Sequence, residues 1–480
     1  MSPRGLAVRA IALALFGSAC SREAPAPQVA ATPVPTPTPR VLVRDHLAFT
    51  TAVDAIATDA LKEGPIAGLS IAVFERGLPV LAKGYGFADL EAKTPATPET
   101  SYPVASVSKR FTAALILRLA DQGKLGLDDP LSSLFPEARP RIGALTIRHL
   151  LDHTSGLTRG GPAPKAAAQS VLMRGGTLRE QGETWDYSNY NFSLLGLAIE
   201  RVTGRAFAEY LRDELVTPLQ LTGTGYCEDG SPVPGRTKDY LSTSKVLSVT
   251  DYWTTSRFFA SGGLCSTVLD LVKFERALEQ GRFVSSAMLR AMRAPAGLPE
   301  SVEADYGLGT RLGFTGSHRK IGHTGGGQGN KAVVARYPDD DVTLAVLFNT
   351  ERPSAEVTAN GLEEQIARLV FATSGDATFA SADELQRYAG QYRDGSRLVR
   401  LTPEAGSLMM RPGIRHGKAS QLISTGGGAF VAAEDPSFEL RFQAGDDLSR
   451  GYGRYRNGWF SAVAVRSAPP AAPRPSGNRK

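Results

Sequence analysis

The segment Tyr102-Pro-Val-Ala-Ser106-Val-Ser-Lys109-Arg-Phe-Thr-Ala-Ala-Leu-Ile-Leu-Arg-Leu-Ala-Asp-Gln-Gly123 joins a short loop to a run of apolar helix formers. Phe111, Ala113, Ala114, Leu115, Ile116, Leu117, Leu119 and Ala120 leave little room for a solvated face, and Gly123 supplies a C-terminal cap. The segment predicts a buried helix opened by Ser106, with Lys109 one turn on and on the same face. A serine at a helix N-terminus has unpartnered backbone N–H groups and the positive end of the dipole beside it, which favour an oxyanion. A lysine on a buried helix loses solvation, so its pKa falls and it becomes a base. The bland reading is a serine that merely caps the helix and a lysine on a solvated face.

Spacing alone does not decide between them. Ser-x-x-Lys arises on the order of once by chance in a chain of 480 residues. Two rivals occur here, Ser242-Thr-Ser-Lys245 and Ser317-His-Arg-Lys320. The first reads as part of a Ser/Thr-rich loop and the second as a polar turn between two strands, so neither has the buried-helix setting.

Two further elements converge on Ser106. Tyr187-Ser-Asn189 lies in a loop after Trp185-Asp186, ahead of an apolar helix over residues 192–202. A phenol near cations can relay a proton, and a side-chain amide can dock a carbonyl. Its decoy is Tyr455-Arg-Asn457, which reads as a turn among C-terminal strands. His323-Thr324-Gly325-Gly326-Gly327 precedes a strand, and its glycines let a strand edge approach a ligand. The N–H of Gly326 is then a candidate to complete an oxyanion hole with that of Ser106.

Taken in this order, the three elements resemble the serine β-lactamase and penicillin-recognising superfamily, in its class C-like branch of esterases, D-aminopeptidases and DD-peptidases. Further landmarks are Leu150-Leu-Asp-His-Thr-Ser-Gly156, Ala260-Ser-Gly-Gly-Leu-Cys-Ser-Thr267 with Asp270-Leu, and Tyr306-Gly-Leu-Gly309. The resemblance spans about residues 46–371. It implies Ser106 as acylated nucleophile and Lys109 and Tyr187 as proton-transfer partners. Asn189 and His323 would orient substrate, with Thr324, Gly325 and Gly326 on the substrate-binding strand. Penicillin-recognising members typically carry lysine where this chain has His323. Lysine is a permanent cation suited to a carboxylate, so histidine favours an ester or peptide substrate over a β-lactam. The function expected is hydrolysis of esters or short D-amino-acid peptides through an acyl-enzyme. The alternatives are a β-lactamase or cell-wall DD-carboxypeptidase, and a catalytically idle muropeptide-binding protein.

The surrounding chain frames this unit as α+β. A hairpin over residues 68–84 and strands at 331–336 and 342–348 flank a large helical middle, which gives an antiparallel sheet built from both ends. This hydrolase-like domain is assigned to residues 41–375. Short strands at regular spacing over residues 380–466 suggest a small all-β barrel, which resembles an appendage of some of these enzymes. Residues 467–480 read as a disordered Pro-rich tail.

The N-terminus reads as an address. Arg4 and Arg9 precede an apolar run at residues 10–16, then Gly17, Ser18, Ala19 and Cys20. This is the layout of a signal peptide over residues 1–19, and Cys20 after Ser-Ala resembles a lipidation site, although the usual leucine three places earlier is Gly17. Residues 20–40, rich in Pro, Ala and Thr, form an extended tether. An exported, periplasmic enzyme held by a lipid anchor in the inner or outer membrane is the expectation.

Net charge is +6, part of it from Arg4, Arg9, Arg474, Arg479 and Lys480 in the two tails, and no basic stripe marks a nucleic-acid partner. Apart from Cys20, Cys227 and Cys265 remain, either as a disulfide or as two buried small apolar groups. His149 and His153 stand four apart, as a zinc pair would, but Leu-Leu-Asp lies between them and no third ligand is evident. No metal or cofactor is expected.

Overall fold

The computed structural model describes residues 45–372 and 382–466, except for short stretches at 159–160, 177, 228–234, 244–245, 251–254, 299–304, 328, 352–356, 395–396, 405–406, 413–418, 427–428, 433–434, 443–451 and 457–458. The signal-peptide, Cys20, tether and C-terminal tail assignments lie outside the described residues.

Helix α1 (His46–Glu63) starts where Asp45 Oδ1 accepts from the Ala48 N–H at 2.9 Å, an ordinary N-cap. Strands β1 (Gly68–Glu75) and β2 (Leu78–Asp89) form the expected hairpin, turning through Arg76 and Gly77, both at positive φ. The helical middle contains α2 (Ser108–Asp121), α3 (Asn189–Thr203), the short strand β3 (Leu264–Ser266) and α4 (Val268–Glu279). The chain then returns to the sheet as β4 (Arg311–Thr315), β5 (His318–Gly327), β6 (Asn330–Tyr337) and β7 (Val342–Phe348), followed by α5 (Ala359–Phe371).

The sheet order β4-β5-β6-β7-β1-β2 is antiparallel throughout, and β1 pairs with β7 in the register Ile71↔Val346. Both faces are covered, which explains why β6 and β7 are almost uninterruptedly apolar. On one face Val333, Ala335, Leu344 and Val346 pack with α1 and α5. On the other, Ala332, Val334, Ala345 and Leu347 join the core that holds α2, α3 and α4. Helix α2 has 11 of its 14 residues buried, as its sequence demanded. Each fully buried Leu, Ile or Phe side chain contributes about 1.5–3 kcal/mol.

Beyond α5, the described residues form eight strands from Gly390–Asp394 to Trp459–Arg466, each paired antiparallel with the next. The first also pairs with the last, Tyr392↔Arg466, which joins the ends of the meander. Leu401, Leu408, Leu422, Phe430, Leu440 and Phe442 fill its interior. Trp459 pairs with Gly313 of β4, and the Arg441 guanidinium sits 4.1 Å from the Phe314 ring.

Of the two readings of the cysteines, the structure has the disulfide: Cys227 and Cys265 are bonded, with Cα atoms 5.4 Å apart.

Candidate active site

The strand pair Tyr102–Pro103 and β3 aims the chain at Ser106. Tyr102 pairs with Ser266, Pro103 with Cys265, and the Val104 N–H donates to the Leu264 carbonyl at 2.9 Å. The backbone then turns through Ala105 at φ +49°, a conformation that costs a non-glycine residue about 1–3 kcal/mol. Ser106 falls in a 3₁₀ turn, Ala105–Val107, just ahead of α2 rather than as the first residue of the α-helix. Its position still leaves it at a helical N-terminus with N–H donors to spare.

Lys109 is fully buried. Its Nζ lies 3.0 Å from Ser106 Oγ, 2.8 Å from Asn189 Oδ1 and 2.7 Å from the Ser261 carbonyl. Burial, with the positive charge of Arg311 added, holds its pKa well below the usual lysine range. The solvated-face reading of Lys109 therefore fails. A neutral amine has two N–H donors and one lone pair. Asn189 Oδ1 and the Ser261 carbonyl can only accept, so they take both donors and leave the lone pair for the Ser106 hydroxyl.

Tyr187, half-buried, completes the cluster: Lys109 Nζ is 4.9 Å from its ring centroid. Asn189 opens α3, and its Nδ2 donates to the Gly161 carbonyl at 3.2 Å. Around Tyr187 stand His153 at 4.4 Å, Trp185 at 6.2 Å and His323 at 6.3 Å between ring centroids.

Strand β5 forms the opposite wall. A methyl group at Gly325 would come within 2.2 Å of the Val104 carbonyl oxygen, so only glycine lets the strand lie this close to the nucleophile turn. Thr324, Gly325 and Gly326 follow His323 along this strand in register with Val333, Ala332 and Lys331. His323 is buried, and burial, reinforced by Arg311, depresses its pKa well below the usual histidine value. Its Nδ1–H donates to the Thr324 carbonyl at 2.6 Å, and its Nε2 accepts from the Tyr306 hydroxyl at 2.9 Å. Both ring nitrogens are thus engaged within the protein.

Two residues at the site escaped the motif search, and a third was read only as part of a landmark and of a zinc-like pair. Arg311 opens β4 opposite Gly322, beside His323, and its charge acts on Lys109, His323 and Tyr306. Its Nε is buried without a hydrogen-bond partner among the described residues. Arg110 makes a buried bidentate pair with Glu275 at 2.6 Å on both bonds and donates to Thr310 Oγ1 at 2.7 Å. It locks α2 to α4 and to the Tyr306-Gly-Leu-Gly309 loop, where Gly309 at φ +64° packs directly on Ala113. His153 is the third. The zinc-like pairing with His149 dissolves, because His149 Nδ1 accepts from the Thr146 N–H at a helix start while His153 faces the aromatic cluster.

The rivals behave differently. Ser242 lies in a strand, Tyr240–Thr243, rather than a loop, and Lys245 is outside the described residues. Ser317 is exposed in the turn between β4 and β5, as expected. Lys320 is buried, which alone would lower its pKa, but Glu363 and Glu364 at 2.9 Å each raise it, so it remains a cation. Tyr455 falls in a strand, Tyr452–Arg456, rather than a turn, and Asn457 is outside the described residues.

Comparison with known proteins agrees with this geometry. The chain is similar to the D-aminopeptidase of Brucella anthropi, with 28% identity over 331 residues, 64% of this chain and 61% of that protein. This chain thus spans about three fifths of the length of that relative. Its fold is similar to D-amino acid amidase from Ochrobactrum anthropi SV3, solved with D-phenylalanine: TM-score 0.60, 26% identity, 67% of this chain and 99% of that one. It also matches the fold of an octameric penicillin-binding protein homologue from Pyrococcus abyssi, TM-score 0.60 at 21% identity, over 87% of this chain and all of the other. The Beta-lactamase family model matches residues 53–369, the span that contains the whole sheet, the helical middle and every residue gathered around Ser106, and the chain belongs to that family.

Proposed function

We propose that the protein hydrolyses esters or short D-amino-acid-containing peptides through an acyl-enzyme on Ser106. The observation that carries this reading is the buried Lys109 Nζ 3.0 Å from Ser106 Oγ, with Asn189 Oδ1 and the Ser261 carbonyl there to take its N–H groups once the amine is neutral. Lys109 takes the serine proton as Oγ attacks the carbonyl. The developing oxyanion faces the N–H groups of Ser106 and Gly326. Tyr187, beside Lys109, passes a proton to the leaving group, and water later releases the acyl group by the reverse relay. Asn189 Nδ2 gives one proton to the Gly161 carbonyl and has a second to offer the substrate's carbonyl.

The relatives named D-aminopeptidase and D-amino acid amidase support an amide or peptide substrate. Arg311, which opens β4 opposite Gly322 and beside His323, puts a cation at this wall that can pair with a substrate carboxylate, the property of a carboxypeptidase substrate. A base poised on its nucleophile argues against an idle binding protein. Export, with Cys20 lipidated and the enzyme tethered in the periplasm, belongs to the same proposal and is supported by the N-terminal layout.

The test is intact-mass labelling with a fluorophosphonate and with a penicillin, the native protein beside Ser106→Ala. One covalent adduct that vanishes in Ser106→Ala is expected. Labelling that survives this substitution sinks the assignment, and slow release of a penicilloyl adduct separates the peptidase from the β-lactamase alternative.

A further inference from the structure

The residue that holds Tyr187 in place is, we infer, His153, acting as a positioning residue through both backbone neighbours of the tyrosine. The inference rests on the reading of Tyr187 as the proton relay. The Asp186 N–H donates to the His153 carbonyl at 3.0 Å, and the Ser188 N–H donates to His153 Nδ1 at 3.2 Å. Tyr187 is therefore straddled by two hydrogen bonds to one residue. The imidazole itself stacks on the phenol ring, centroids 4.4 Å apart and tilted by 40°.

The acceptor state of Nδ1 is fixed from a second side. Ser155 Oγ donates to Asn191 Oδ1 at 2.7 Å, which turns the Asn191 amide so that Nδ2 donates to His153 Nδ1 at 3.0 Å. Two donors on Nδ1 place the ring proton on Nε2. His153 is fully buried, and its backbone sits at φ +63°, a left-handed conformation uncommon outside glycine, though asparagine, aspartate and histidine adopt it more often than other residues. A residue at a positive φ, with its one acceptor nitrogen spent on the tyrosine loop and on Asn191, is over-determined for simple core filling. The Leu150-Leu-Asp-His-Thr-Ser-Gly156 segment thus serves the site from beneath: it carries no reacting group but sets where the phenol oxygen stands relative to Lys109.

The chemistry of the site chooses the variants. His153→Asn keeps an acceptor at the position of Nδ1 and tolerates the positive φ, whereas His153→Gly relieves the backbone but removes both ring and acceptor. Each is made alone and combined with Tyr187→Phe, and kcat and KM are measured on a p-nitrophenyl ester alongside thermal melts. His153→Gly is expected to lower kcat about 10–100-fold with KM within about threefold, and His153→Asn to restore kcat to within about threefold of the native value. On the Tyr187→Phe background the glycine substitution should cost less than about threefold, because the group it positions is already gone. Equal losses on both backgrounds, or a His153→Asn protein that melts normally yet loses more than about thirtyfold in kcat, would overturn the inference while leaving Tyr187 catalytic. A Tyr187→Phe protein with native kcat would instead overturn the relay reading and the inference with it.

Discussion

The hydroxyl of Tyr306 donates to Nε2 of His323 at 2.9 Å, inside the protein, and closes off the one nitrogen of that histidine able to accept. Where a lysine would present a charge to substrate, this chain has a neutral, internally satisfied pair. Glutamine at residue 323 preserves an acceptor for Tyr306, and phenylalanine does not. His323→Phe should therefore destabilise the fold by about 1–3 kcal/mol, the cost of an unsatisfied buried hydroxyl, while His323→Gln costs about half that or less. Urea denaturation of the three proteins measures it, and equal stabilities for Gln and Phe would show that the bond contributes nothing.

Arg311 and Lys109 give a pH dependence with a fixed sign. The base must be unprotonated, so activity falls as pH drops through the pKa of Lys109, which burial and then Arg311 hold well below 10.5. Removing the neighbouring cation raises that pKa. In Arg311→Gln the acidic limb of kcat/KM on a neutral ester should move to higher pH, while Arg311→Lys leaves it near the native position. A limb that stays fixed, or moves to lower pH, shows that Arg311 does not act on the base.

Tyr187 and its decoy supply a matched comparison. Tyr187→Phe removes only the hydroxyl proposed as proton relay and should lower kcat by about 10²–10⁴. Tyr455→Phe, in the C-terminal meander, should leave ester turnover within about twofold. Similar small effects at both positions would make Tyr187 a packing residue.

The Cys227–Cys265 disulfide closes a loop of sequence separation 38 and sits on β3, the strand paired with Pro103 just before the nucleophile turn. Reduction, or the double substitution to serine, should lower stability by about 3–4 kcal/mol on the chain-entropy model. Differential scanning calorimetry with and without reductant checks this, and an unchanged melting temperature contradicts it.

Much of this arrangement was legible in the sequence because its parts are local. The Ser106 helix announced itself by an apolar face with no gap, and β6 and β7 by a mostly valine, alanine and leucine run on either side of Pro338-Asp-Asp-Asp341. Ser242 showed the limit of such reading: its Ser/Thr-rich surroundings suggest a loop, yet pairing with Val246–Val249 makes it a strand. Arg311 was not legible at all. It belongs to no motif, and only the antiparallel pairing of β4 with β5 brings it beside His323. The cysteine pair was equally mute, since its partners meet through two short strands, Gly225–Tyr226 and β3, that no periodicity marks.

The place of β1 in the middle of the sheet governs the order in which the molecule can assemble. The Gly68 N–H is bound by Asn349 Oδ1, 281 residues further along the chain, and β1 lies between β2 and β7. At a synthesis rate of about 5–20 residues per second, roughly 15–60 s separate the emergence of the two partners. During that interval the hairpin Gly68–Glu75 and Leu78–Asp89 exists with one open edge, Leu-Ser-Ile-Ala-Val-Phe, to which β7 has yet to pair. Nascent chains of this protein thus carry an unsatisfied, strongly apolar strand until late in translation, which makes that segment the natural grip for a holding chaperone and the first place where truncated chains aggregate.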